Sequence, residues 1–89
     1  MNKTSNKVLL SICIPTFNRT DCLKNCLNSI LIAKKNYNFN FEVCVSDNCS
    51  TIKIESIINK YQRYYKIRFN KNKSNIGLGA NILKAVSLA

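Results

Sequence analysis

The chain of 89 residues holds no histidine, one proline, two glycines, and four acidic residues against fourteen basic ones. Without histidine, a thiolate zinc or redox site would rest on the five cysteines. Cys22 and Cys26 stand four apart, which is not the C-x-x-C spacing of a zinc or redox site. No run approaches the ~20 apolar residues of a membrane span. A secretory leader is not expected either. Met1 to Lys7 is polar and basic, and Val8 to Ile14 is short, lacks a small-residue cleavage site and runs straight into Pro15. Residues 1–7 are therefore expected to be a flexible N-terminus, and the chain cytoplasmic. An odd cysteine count gives no disulfide framework. Cys13 and Cys44 fall inside apolar runs, where a free thiol acts as a small hydrophobe, and reduced thiols are expected throughout. In a chain with no secretory signal, the Asn-x-Ser/Thr triplets at Asn2, Asn18, Asn48 and Asn72 carry no glycosylation reading.

The scarcity of acid leaves a formal charge of +10. That invites a small basic module for nucleic acid or an anionic surface. Lysine, however, rises together with asparagine and isoleucine over the whole length, and the three share A/T-rich codons. The cations are also spread out. The stretch Lys60-Tyr61-Gln62-Arg63-Tyr64-Tyr65-Lys66 mixes aromatics with cations as single-strand binders do, yet a helix face accounts for Tyr61 and Tyr65. The charge is therefore weak evidence for a polyanionic partner: nucleic acid is not expected, and the membrane is at most a peripheral partner.

What remains is one small domain, 8–89, able to bury roughly 60–65% of its unfolded surface. Its organising stretch is Phe41-Glu42-Val43-Cys44-Val45-Ser46, a strand suited to burial on both faces. It breaks into the turn Asp47-Asn48-Cys49-Ser50-Thr51, which ends in helix-capping residues. A carboxylate at a strand's carboxyl end either accepts hydrogen bonds from a bound base or sugar or caps the next helix. Val8–Ile14 reads as an earlier buried strand, stopped by Pro15. Thr20 or Asp21 would cap a helix with Leu23, Leu27, Ile30 and Leu31 on one face, ending near Lys34-Lys35. A second helix is expected from about Ile52 to Tyr65, a short edge strand over Lys66–Asn70, and a third helix with Leu78, Ile82, Ala85, Val86 and Ala89 aligned as core. Strand-helix three times over argues an α/β fold with a three-stranded parallel sheet.

Three turns then line up along one sheet edge: Pro15-Thr16-Phe17-Asn18-Arg19, Ser46-Asp47-Asn48-Cys49-Ser50-Thr51 and Asn75-Ile76-Gly77-Leu78-Gly79-Ala80-Asn81. In order and spacing the set resembles the N-terminal half of the family 2 glycosyltransferases, inverting enzymes of the GT-A type. The resemblance covers the chain from Leu9 to Ala89 and implies a partial GT-A, Rossmann-like fold. It implies a nucleotide-sugar pocket, with UDP the default nucleoside and bacterial cell-surface polysaccharide synthesis the typical setting. By position, Phe17 would lie against the base, Pro15 and Thr16 would shape the pocket, and Asp47 would bond the base edge or ribose beside Asn48. Asn18 would brace the turn, Gly77 would let the backbone approach the ligand, and Asn75 and Asn81 would tie the third loop to the pocket. Where the family has a second acid after the Ser-Thr, this chain has Ile52.

The resemblance also implies absences. A divalent cation (Mg or Mn) and a carboxylate base belong to the complete enzyme, and this chain has no acid after Glu55. No catalytic residue is assigned, no cofactor is expected in this chain, and no sugar transfer by it alone. A truncated or split product is expected, in which Val8–Ile14 forms an exposed apolar edge and a complementing C-terminal chain is a partner. The alternatives are the basic binding module and a non-functional remnant.

Overall fold

The computed structural model describes residues 10–37 and 40–89. The elements are β1 (Leu10–Thr16), α1 (Thr20–Asn36), β2 (Phe41–Asp47), α2 (Glu55–Tyr61), β3 (Ile67–Lys71) and α3 (Leu78–Ser87). The strands form one parallel sheet in the order β1-β2-β3. Leu10 stands opposite Phe41 and Thr16 opposite Asp47, while Val43 stands opposite Ile67 and Asp47 opposite Lys71. This is the expected α/β architecture of three β-α units, a partial Rossmann-like fold.

All seven residues of β2 are buried, because a strand flanks it on each side and both of its faces are covered. Side chains alternate across a strand. Phe41, Val43 and Val45 therefore share one face, where they pack with Leu23 and Leu27 of α1, Ile57, Ile58 and Tyr61 of α2, Ile54, and Ile67. Burying each of Leu27, Val43 and Val45 contributes about 1.5–3 kcal/mol. The Tyr65 hydroxyl donates to the Leu27 carbonyl at 2.7 Å, and burial holds its pKa above the ordinary phenol value.

The other face of β2 presents Glu42, Cys44 and Ser46, and α3 lies over its Ser46 end through Asn81. Glu42 accepts from Ser11 of β1 at 2.8 Å and from Arg68 of β3 at 2.9 Å, with Lys66 at 3.8 Å. The Arg68 hydrogen bond, then that of Ser11, holds the carboxyl below its ordinary range. Burial, with the Glu42 charge nearby, pushes the Cys44 thiol up to about 11. All five cysteines are free thiols.

Several boundaries differ from expectation. Val8 and Leu9 lie outside the described residues. Pro15 does not stop β1, which continues to Thr16. The Asn48 N–H donates to the Thr16 carbonyl at 2.9 Å. In a parallel ladder this turns the backbone groups of even-numbered β1 residues towards β2 and those of Ser11, Cys13 and Pro15 outward. The proline nitrogen thus faces an edge where a missing N–H removes no ladder bond. Neither Thr20 nor Asp21 caps α1, whose first residue is Thr20 and whose preceding Arg19 makes no side-chain cap.

Helix α2 is shorter than the apolar pattern suggests and has Ile54 at its cap position. Ser50 and Thr51 do not cap it because their polar groups are bonded to Asp47 and Asn18. The α3 stripe is the largest difference. Ala85 is buried, but Leu78 is 72% and Val86 52% exposed, with Ile82 also exposed. The helix turns Asn81, not its leucines, towards the sheet.

Candidate functional site

Three turns meet at the carboxyl ends of the strands, where ligands bind in open α/β sheets. The first two are stapled by Asn18. It sits at φ 50°, a left-handed conformation that asparagine tolerates. Its N–H donates to Ser50 Oγ at 2.7 Å, and its Oδ1 accepts from the Thr51 N–H at 2.9 Å and the Thr51 hydroxyl at 3.2 Å. Ser50 in turn donates its hydroxyl to Asp47 Oδ1 and its N–H to Asp47 Oδ2. Asp47 is fully buried. Its carboxylate holds the second turn to its own strand.

The second and third turns are joined by amides. Asn48 Oδ1 accepts from the Ile76 N–H at 2.9 Å and from Asn72 Nδ2 at 3.0 Å. Asn48 Nδ2 donates to Asn75 Oδ1 at 2.9 Å and to the Gly77 carbonyl at 3.3 Å. Asn81 Oδ1 accepts from Ser46 Oγ at 2.8 Å and Asn72 Nδ2 at 2.9 Å, while Asn81 Nδ2 donates to the Ser46 carbonyl at 2.9 Å. Asn70 Nδ2 completes the chain, donating to Ser46 Oγ and to Asn72 Oδ1. Among the described residues no buried side-chain nitrogen or oxygen lacks a partner. A buried polar network satisfied in this way is stiff, since breaking any link leaves a desolvated group.

Between the first turn, the start of α1 and the start of α3 lies a cavity of about 490 Å³. Ile14, Pro15, Thr16 and Phe17 form one wall; Arg19, Cys22, Leu23 and Cys26 form the second. Asn48, Asn75, Leu78 and Asn81 form the third. Six of the nine expected site residues therefore border one cavity: Pro15, Thr16, Phe17, Asn48, Asn75 and Asn81. Asn18, Asp47 and Gly77 stand outside the lining. Gly77, at φ 87°, gives its N–H to Asn75 and its carbonyl to Asn48.

The residues that sequence reading missed are Arg19, Cys22, Leu23, Cys26 and Leu78 in the lining, and Ser46, Ser50, Asn70 and Asn72 behind it. The i, i+4 spacing of Cys22 and Cys26 after the first turn was a legible signal for one helix face pointing at the turn. Asn70 and Asn72 gave no separate signal against an asparagine-rich background. Among the described residues, Arg19 is the one charged residue in the lining, and no carboxylate faces the cavity. Among the described residues no group of three or more potential ligands could hold a metal ion.

The class is thus an α/β domain with a mostly apolar, amide-braced cavity at the carboxyl ends of a parallel sheet. A family model described as glycosyl transferase family 2 matches residues 11–89, and the chain belongs to that family. It is 42% identical over 84 residues to abequosyltransferase RfbV of Salmonella typhimurium, covering 92% of this chain and 25% of that protein. It is 38% identical over 87 residues to an uncharacterised glycosyltransferase of Methanocaldococcus jannaschii, covering 94% and 29% respectively. The chain thus spans 25% and 29% of the lengths of these curated relatives. No solved structure matches. No helix among the described residues is long and apolar enough to cross a membrane.

Proposed function

We propose that these residues form the nucleotide-binding part of an inverting, nucleotide-diphosphate-sugar-dependent glycosyltransferase, with a UDP-sugar as donor and cell-surface glycan synthesis as its setting. The observation that carries the reading is the cavity itself. Residues of three sequence motifs, 15–17, 48 and 75–81, come together around one apolar space with fixed amides at its rim. A nucleoside needs such a site: an aromatic or apolar wall plus a few oriented polar groups. Phe17 lines the cavity and is half-exposed, which supports its stacking on a base. Pro15 and Thr16 shape the wall. Asp47, whose sequence-derived role is at the base or ribose, is buried and bonded to Ser50 in this structure, and acts on the ligand by holding the second turn.

A divalent cation does not fit the residues present. Asp47 is committed to Ser50 and Glu42 to Ser11 and Arg68, and no carboxylate reaches the cavity. No step is therefore routed through a metal, and no general base is assigned within these residues. The uncovered β1 edge and the exposed α3 stripe support a complementing polypeptide as partner, and peripheral contact with a membrane is the most that this stretch supports. Glycosyl transfer, common to the names of both relatives, is the activity carried over to the complete protein.

Isothermal titration of the 89-residue chain with UDP, GDP, CDP and ADP tests the reading. A preference of about tenfold or more for one nucleoside diphosphate, with mild salt dependence, is expected. Equal binding of all polyanions, weakening steeply with salt, would refute it in favour of a basic binding module. No binding at all would leave a remnant.

A further inference from the structure

The amide network fixes the polarity of one side chain that the fold itself does not need to be polarised. Backbone groups cannot invert, so they orient the carboxamides in turn. The Ile76 N–H can only donate, so the Asn48 atom facing it is Oδ1. Asn48 Nδ2 then faces Asn75, whose facing atom has to be an acceptor, Oδ1. The Gly77 N–H donates to the same oxygen at 2.8 Å. At the far end the Ser46 carbonyl fixes Asn81 in the same way, and Asn72 joins the two. Asn75 Oδ1 thus has two donors from the protein, while Asn75 Nδ2 has no partner among the described residues. The residue is exposed and lines the cavity.

Resting on the nucleotide reading above, we propose that Asn75 is a specificity-determining residue that touches the ligand. Its Nδ2 is presented as a donor that accepts no substitute by rotation, and it reads an oxygen acceptor on the bound nucleotide. Rotating the amide by 180° would set Asn75 Nδ2 against Asn48 Nδ2 and the Gly77 N–H, donor against donor. The cavity therefore offers a fixed donor at this point. Asn48 is the positioning residue behind it.

The discriminating variant is Asn75→Asp. An aspartate oxygen still accepts from Asn48 Nδ2 and from the Gly77 N–H, so both bonds the structure shows survive and only the free donor is lost. A purely structural role therefore predicts an unchanged or raised thermal midpoint and unchanged binding. The expected result is an unchanged or raised midpoint with UDP affinity down about ten- to a hundredfold by titration. The deficit should persist at about 0.5 M salt, where repulsion between the new carboxylate and the phosphates is screened. A loss shared by UDP and uridine places the acceptor on the nucleoside, and a loss with UDP alone places it on the diphosphate.

Binding of UDP by N75D within about twofold of the parent would overturn the inference and leave the nucleotide reading intact. A midpoint lowered by more than about 4 °C would also overturn it, because the amide would then be oriented the other way. A parent chain that binds no nucleotide removes the reading and this inference together.

Discussion

Asn72 is the hub of the network, and replacing it with aspartate isolates what its two donors contribute. The residue is 8% exposed. Its Nδ2 serves Asn48 Oδ1 at 3.0 Å and Asn81 Oδ1 at 2.9 Å, and its Oδ1 accepts from Asn70 Nδ2 at 2.8 Å. Asn72→Asp has nearly the same shape and keeps the Asn70 bond, but turns both donors into acceptors facing two amide oxygens. Neither oxygen is orphaned, since Asn48 Oδ1 keeps the Ile76 N–H and Asn81 Oδ1 keeps Ser46 Oγ.

Two lost hydrogen bonds at about 0.5–1.5 kcal/mol each, plus ionisation of a nearly buried carboxyl, give about 2–4 kcal/mol of destabilisation at pH 7. That is a large fraction of the ~5–15 kcal/mol stability of a typical domain. The pH dependence follows from the sign of the shift. Burial against carbonyl oxygens raises the new carboxyl's folded pKa above its unfolded value of about 3.9. The ionisation penalty is therefore absent below about pH 4 and grows as pH rises towards the folded pKa. Urea unfolding followed by circular dichroism, parent and variant at one fixed concentration, at pH 4 and pH 7, reads both effects. A variant within about 0.5 kcal/mol of the parent at pH 7 would refute the argument, as would a deficit that does not shrink towards pH 4.

Other substitutions probe other parts. Glu42 has a folded pKa below its ordinary value of 4.5, so its contribution is present above that value and lost as pH falls through the folded pKa. Glu42→Gln should flatten the acid limb of the stability profile; an unchanged limb would assign acid sensitivity elsewhere. Gly77 adopts φ 87°, ψ 160°, a region essentially confined to glycine, so Gly77→Ala should cost about 1–3 kcal/mol. Gly79→Ala, within α3 and with open space around an added Cβ, should stabilise by about 0.5–1 kcal/mol; equal signs in thermal melts would contradict the backbone argument. Asp47→Ala removes both bonds to Ser50 and should lower UDP affinity by about 1–3 kcal/mol as the second turn loosens; parent-like titration would end its role. The β1 edge and α3 stripe should make the isolated chain associate, and a concentration-independent, monomeric, cooperative unfolding transition would refute that.

Much of this protein was legible in one dimension. The largely apolar start of β2 with its abrupt Asp47-Asn48 turn, the one-faced α1 and the strand-helix alternation determined an α/β fold, because burial on one or two faces imposes its own periodicity on the sequence. The three turn motifs determined which strand ends meet.

Tertiary structure decided the rest. It let Pro15 lie inside β1 because, among the described residues, no strand pairs with the outer side of β1. It began α2 only after Ile54, with Ser50 and Thr51 already bonded to Asp47 and Asn18. It turned α3 so that Asn81 and Ala85, not Leu78, Ile82 and Val86, meet the sheet, where Asn81 bonds Ser46 and Asn72. It also separated Asp47, spent on its own turn, from Asn75, whose donor is free. Which polar side chain supports and which one faces a ligand depends on where every other donor and acceptor is satisfied, and that is a property of the folded network, not of any residue's place in the chain.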